Sequence, residues 1–240
     1  MSKISKRIKE TQTKIEKKLY KANEALQVLK LISTAKFNET AEAHIALRID
    51  PKYNDQKLRA TVMLPKGNGK EVKIAVITRQ EPSEVLAMGA DIVGDDELVT
   101  EILKTGKFEF DQLITTPDMM PLIAKLGRVL GPRGLMPSPK AGTVTVNIKE
   151  AITEFKSGKL EYRADRTGIL HSIFGKFNFL EEDLLIILQV IQESIDKNNP
   201  SDVKGNYRKS FSVTTLFHPL TQMQIYLPGQ NVYFFYFTRT

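Results

Sequence analysis

Between residues 72 and 156 short apolar runs alternate with helical segments. VKIAVIT (72–78) precedes PSEVLAMGA, DIVG (91–94) precedes DDELVTEILKTG, FDQLITT (110–116) precedes PDMMPLIAKLGRVL, and TVTVN (143–147) precedes IKEAITEFKSG. Runs of this kind, apolar on both faces, predict parallel strands in an open α/β sheet. The helix starts agree, because Pro82, Pro117 and the Asp95-Asp96-Glu97 cluster sit where a first turn favours proline and acids. The flanks follow another rhythm. AEAHIALRI (41–49) places Ala41, Ala43, Ile45, Leu47 and Ile49 on one face, and KLRATVML, KLEYRAD, GILHSIF and YRKSFSVTT alternate similarly, which predicts half-buried antiparallel strands. Leu180, Leu184, Leu188, Ile191 and Ile195 recur at helical spacing over 180–197, and ANEALQVLKLI predicts a shorter amphipathic helix.

These patterns predict a two-domain α/β chain. A discontinuous α+β domain, an antiparallel sheet with flanking helices, is built from residues 1–67 and 159–240. A Rossmann-like α/β domain with a parallel sheet is inserted over 68–158. LPKGNGK (64–70) and KSGK (156–159) separate the two, so Gly67, Gly69 and Gly158 are hinge candidates; the alternative is that they serve tight turns within one rigid body.

Composition narrows the function. Among the 240 residues, 41% are hydrophobic, enough for a sizeable core, and no run reaches the roughly 18 apolar residues of a membrane span. With no cysteine, disulfides, thiolate metal sites and thiol nucleophiles are excluded. MSKISKRIKE has no apolar segment behind its charges, so neither a signal peptide nor a transit peptide is expected. The net charge of +7 is localised: residues 1–36 hold ten Lys/Arg against three acids, leaving 25 of each sign elsewhere. Such an arm suits a polyanion, although membranes and partner proteins also take basic amphipathic segments.

Catalytic readings find little support. A phosphate loop needs G-x-x-x-x-G-K-[ST], and Gly89 to Gly94 runs instead into Asp95-Asp96, whose carboxylates repel phosphate. The dinucleotide fingerprint G-x-G-x-x-G is absent, since Gly127, Gly131 and Gly134 are differently spaced and follow a helix. His44, His171 and His218 lack a catalytic motif context, and structural or RNA-facing roles suit them better. Asp95-Asp96-Glu97 and Glu181-Glu182-Asp183 read as helix starts rather than metal sites. No catalytic residue, metal or cofactor is expected. The rival reading is an α/β enzyme acting on a phosphorylated small molecule.

LIAKLGRVLGPRGLMPSPKAGTV (122–144) closely resembles the signature of the large-subunit ribosomal protein L-one family. STAKFNETAEAHIALRIDPKYNDQKLRATVMLPKGNGKEV, GADIVGDDEL, TTPDMMP, EFKSGKLEYRADRTGILHSIFGK and IQESIDKNNPS follow that family's order, from about residue 5 to Thr215. GLMPSPK and YRADRTGI look most similar to the cyanobacterial and plastid branch. With a Lys/Ile/Asn/Phe-rich composition and no transit peptide, the expected location is the ribosome of the plastid (chloroplast) stroma, the alternative being a bacterial cytoplasm.

The resemblance implies an rRNA-binding constituent of the large ribosomal subunit, not an enzyme and not membrane-bound, monomeric when free. It implies a mobile stalk beside the exit site that assists release of deacylated tRNA, and a second role in repressing translation of its own mRNA. RNA-binding positions carried over are Lys36, Phe37, Thr40 and Glu42 in AKFNETAE, His171, Gly175 and Lys176 in HSIFGK, and Thr215 at the end of the last matching strand. The chemistry suits RNA: lysine for phosphate, phenylalanine for packing on sugar or base, and Thr, Glu and His for hydroxyls including the ribose 2′-OH. Phe37 as plain core and Glu42 as a solvated strand residue remain open. Arg128, Arg133 and Lys140 form a secondary basic loop. After Thr215 the chain departs from the family, whose last strand usually closes with Thr-Met-Gly-Pro. Here LFHPLTQMQIYLPGQNVYFFYFTRT follows; for the six aromatics of the final fifteen residues, YFFYF among them, an added edge strand, a partner contact and an aggregation-prone tail stay open, as does a reading-frame change near the end.

Overall fold

A computed structural model describes residues 18–33, 35–53, 56, 58–199, 207–215 and 223–226. Along the chain these form β1 (Tyr20–Lys21), α1 (Ala22–Ile32), β2 (Thr40–Leu47), β3 (Arg59–Met63), β4 (Ile74–Ile77), α2 (Pro82–Ala87), β5 (Ile92–Gly94), α3 (Asp96–Thr105), β6 (Gln112–Thr115), α4 (Ile148–Lys156), β7 (Lys159–Arg163), β8 (Ile169–Lys176), α5 (Glu181–Lys197), β9 (Arg208–Thr215) and β10 (Met223–Tyr226). Most of the basic arm (residues 1–17), His218 and the YFFYF stretch lie outside the described residues. By its contacts the chain divides into two compact units, Met1–Val62 with Tyr162–Thr240, and Met63–Glu161.

The first unit is built on a five-stranded sheet of order β1-β10-β9-β2-β8. β2 lies antiparallel to both β8 and β9, and β10 lies antiparallel to β9. Strand alternation decides the faces. In β2 Ala41, Ala43, Ile45 and Leu47 are buried while Thr40, Glu42, His44 and Ala46 are not. The buried face is completed by Leu170 and Phe174 of β8 and Phe211 and Val213 of β9. Two helices supply its other half: Ala25, Leu26, Leu29 and Ile32 from α1, and Leu184, Ile187, Leu188, Ile191 and Ile195 from α5. Each large aliphatic side chain buried in this way contributes about 1.5–3 kcal/mol before the entropy of ordering is counted. The sequence stripe included Leu180, but that residue precedes the helix and is 69% exposed; Ile187 takes its place inside. Glu181, Glu182 and Asp183 occupy the first turn of α5 and Lys197 its last, as the helix dipole favours. The strand at Met223–Tyr226 shows that part of the divergent tail adds to the sheet between β9 and β1.

The second unit holds a parallel sheet of order β5-β4-β6. All four residues of β4 are buried, because apolar layers cover both faces. One layer gathers Ala75, Ile77, Val99, Ile102, Leu113 and the 117–130 segment; the other gathers Ile74, Val76, Val85, Ile114, Ile152 and Phe155. Two expectations change here. The segment 117–130 is not one helix but a chain of short 3-10 and α turns. Pro121 removes a backbone donor and Gly127 is a poor helix former, yet Met119, Ile123, Leu126 and Leu130 still reach the core. The fourth strand expected at 143–147 is reduced to one parallel bridge, Thr115 to Val144. Between Met63–Glu161 and the rest, the chain passes once within β3 and once within β7, strands that pair with each other.

Candidate nucleic-acid interface

The register of β2 against β8 brings distant sequence stretches together. Thr40 lies opposite Lys176, and Ala41 opposite Gly175, beside a bulge at Ala41/Glu42. Beyond the strand ends the pairing continues: Phe177 N–H donates to the Glu39 carbonyl at 3.1 Å, and Asn178 N–H to Asn38 Oδ1 at 3.2 Å. Lys36, Phe37, Thr40, Gly175 and Lys176 therefore gather at one end of the β2/β8 pair, though about 140 residues separate them in sequence. Lys36 and Phe37 are exposed there, Phe37 by 50%. Lys30 of α1 ties this end down by donating to the Phe179 carbonyl at 3.2 Å and approaching Glu181 at 3.7 Å.

Strand parity separates the remaining positions. Glu42 and His171 lie on the sheet face away from the helices. Thr215 pairs with Ala41 and so faces the core, 1% exposed, its hydroxyl lacking a hydrogen-bond partner among the described residues. Gly175 is also buried: a Cβ there would come within 2.8 Å of Leu184 Cδ2 and 3.3 Å of Phe179 Cδ2. These two residues shape the end of the sheet from within.

His44 had no motif to mark it. Its position opposite His171 depends on a cross-strand register that the sequence does not display. The two Nδ1 atoms lie 2.7 Å apart, with rings edge to face. His44 Nε2 is 3.8 Å from Glu42 Oε2, and His171 Nε2 is 3.7 Å from Asp165 Oδ2. Burial, and secondarily the charge of His171, push the His44 imidazole below its usual proton affinity. Asp165 closes the turn into β8, accepting from the amides of Thr167 and Ile169, each at 2.8 Å. Burial opposes its ionisation, but these bonds, the Thr167 hydroxyl and His171 prevail and hold the carboxyl below the usual aspartate range.

In the second unit Arg128, Arg133 and Lys140 are exposed, and the Arg133 guanidinium stacks 4.6 Å above the Phe108 ring. The glycine-rich loop beside them is closed on itself. Amides of Gly131, Gly134, Leu135, Ala141, Gly142 and Thr143 bond to backbone carbonyls, and Ser138 N–H donates to Thr143 Oγ1 at 2.8 Å. Those donors are committed and do not form a phosphate cradle. Gly67, Gly69 and Gly158 have positive φ, and all fall within the second unit. A Cβ on Gly158 would meet Gly67 Cα at 2.5 Å, so this glycine also permits a close backbone crossing. Among the described residues no group of three or more His, Asp or Glu is placed to hold a metal, and no helix is long and apolar enough to cross a membrane.

Comparison with known proteins gives a consistent result. Residues 28–217 match the model of the Ribosomal protein L1p/L10e family. The chain is 61% identical over 226 residues to the large ribosomal subunit protein uL1c of Rhodomonas salina, covering 94% of this chain and 96% of that one. It is 59% identical to uL1c of Pyropia yezoensis, covering 94% and 98%. To the large ribosomal subunit protein uL1 of Thermosynechococcus vestitus it is 57% identical, covering 94% and 95%.

Proposed function

Because the chain belongs to the Ribosomal protein L1p/L10e family, a family of structural ribosomal proteins rather than enzymes, we propose that it binds large-subunit rRNA directly through the β2/β8 end of its first unit. It is a plastid-type protein of the large ribosomal subunit and works on the ribosome in the plastid stroma, in keeping with its uL1c relatives. The observation that carries the rRNA reading is the gathering of Lys36, Phe37, Thr40 and Lys176 at one end of paired strands. Two lysines offer phosphate contacts, a half-exposed ring offers a stacking surface, and Thr40 and Glu42 offer partners for ribose hydroxyls. His171 lies further along the same face, while Gly175 and Thr215 set the shape of the strand ends beneath. A contact set of this kind reads RNA shape and hydroxyls more than base sequence. The same shape in its own mRNA would be bound by the same residues.

The second unit serves as the outer lobe of a stalk beside the exit site. Its surface with Arg128, Arg133 and Lys140 meets nucleic acid there, and its movement assists release of deacylated tRNA. Two passages of chain, within β3 and β7, connect it to the first unit, and the turns just inside the second unit, with Gly67, Gly69 and Gly158 at positive φ, are where we propose the backbone rotates to give the freedom a stalk needs. The test is affinity for a stalk-rRNA fragment against random RNA of equal length, across a salt series. Preference for the fragment that persists at high salt supports specific binding. Equal affinities that vanish together with salt would reduce the interaction to counterion release.

A further inference from the structure

The His44–His171 contact constrains where hydrogens reside. At 2.7 Å between Nδ1 atoms only one hydrogen fits between the rings, so one imidazole donates and the other accepts. Two N–H groups facing each other at that distance would repel. His44 is the ring whose environment disfavours charge: its side chain is 18% exposed, against 55% for His171. His44 is therefore the neutral acceptor, with its own hydrogen on Nε2 toward Glu42. His171, on the edge strand β8, donates from Nδ1 and keeps an Nε2 lone pair 3.7 Å from Asp165 Oδ2. A proton arriving from solvent binds that lone pair without breaking any bond, and leaves an imidazolium, its side chain 55% exposed, whose Nε2–H lies beside the Asp165 carboxylate.

The surroundings decide what such a proton does. On β2 the neighbouring titratable group is Glu42, and the turn before β8 contributes Asp165 together with the exposed Arg166. From β9 the residues in register on this face are Ser210, Ser212 and Thr214, none of which titrates near neutrality. On β8 the adjacent positions are Ile169 and Ile173. Two carboxylates flank the pair, so a phosphate approaching a neutral pair meets net repulsion. A protonated His171 offsets one of those charges, and its Nε2–H, too far from Asp165 at 3.7 Å for a hydrogen bond, stays available to a phosphate oxygen. Phosphate and proton thus favour each other's binding, and the coupling is reciprocal.

We propose that the His44–His171 pair is a proton-linked phosphate contact: RNA binding on this sheet face takes up a proton at His171, which the neutral acceptor His44 positions and orients. The inference rests on the reading of this face as an RNA interface, and His44 is a positioning residue within it.

The experiment measures binding of full-length protein to the stalk-rRNA fragment from pH 8 to pH 6 at constant ionic strength. Calorimetry at pH 7 in buffers of different ionisation enthalpy counts protons. Affinity is expected to rise by up to about tenfold on acidification, tenfold meaning that RNA raises the site's proton affinity tenfold, with net proton uptake by calorimetry. His171→Gln should abolish the uptake. His44→Leu should strongly reduce it, whereas His44→Gln, whose amide oxygen can accept from Nδ1, should largely retain it. Lys176→Ala should weaken binding and leave the proton count unchanged. Tight wild-type binding without proton exchange, or uptake that survives His171→Gln, overturns the proposal while leaving the RNA interface standing. Absence of any binding to the fragment overturns the interface reading and this proposal with it.

Discussion

Replacing Phe37 with alanine separates an RNA-facing ring from a core residue, because the two roles predict opposite pairs of effects. The ring is 50% exposed, whereas Phe174 and Phe211 in the same unit are 0% and 1% exposed. Fully burying a phenylalanine is worth about 1.5–3 kcal/mol, so Phe37 contributes roughly half of that, about 1 kcal/mol. No closed cavity should form at so open a position. Truncating a closed-in ring such as Phe174 costs about 3–5 kcal/mol. Stacking of a base on an aromatic ring is worth about 1–3 kcal/mol, which makes the expected loss of affinity for the stalk-rRNA fragment about five- to 150-fold. Denaturant melts of Phe37→Ala and Phe174→Ala give the first quantity, and titrations of folded Phe37→Ala with labelled fragment and with random RNA give the second. Destabilisation on the Phe174→Ala scale with undiminished affinity would refute the stacking role and return Phe37 to the core.

Gly175→Ala places a methyl about 2.8 Å from Leu184 Cδ2; overpacking of this kind costs about 1–3 kcal/mol, and a melt unchanged from wild type would show that α5 yields to the added methyl without cost. Asp165→Asn tests the turn that carries His171. The folded carboxyl titrates below its ordinary value of 3.8, so its stabilisation is present above that pH and is lost as pH falls beneath it. The stability gap between wild type and Asp165→Asn should therefore be larger at pH 7 than near pH 3, and an equal gap at both would remove ionisation from the explanation.

Much of the architecture was legible because burial leaves a periodic trace. The alternation from Ala41 to Leu47 appears as a strand with one buried face, and the doubly apolar VKIAVIT as a strand covered on both. Failures occurred where local chemistry overrode period. Leu180 continues the stripe of α5 but stands outside the helix, and Pro121 with Gly127 breaks 117–130 into short turns that nevertheless keep the apolar spacing. The candidate site divides similarly. The family resemblance carried RNA contacts over to positions near Lys36 and Lys176, but which of them meet depends on the β2/β8 register, a contact across more than a hundred residues. The β2/β9 register turns Thr215 inward, and the β2/β8 register creates the His44–His171 contact, which neither histidine's neighbours in sequence announced. The tail shows a similar limit: the strand at Met223–Tyr226 is set by pairing with β9 rather than by a strong local pattern.

The proposed grip of the β2/β8 end on RNA works through phosphate contacts at Lys36 and Lys176. Its most direct test is the slope of log affinity for the stalk-rRNA fragment against log salt concentration, for wild type, Lys36→Ala, Lys176→Ala and the double variant. Each single variant should weaken binding and lower the slope by about one ion, and the double variant by about two. Four equal slopes and affinities, with all proteins folded, would place the RNA-binding surface elsewhere on the molecule.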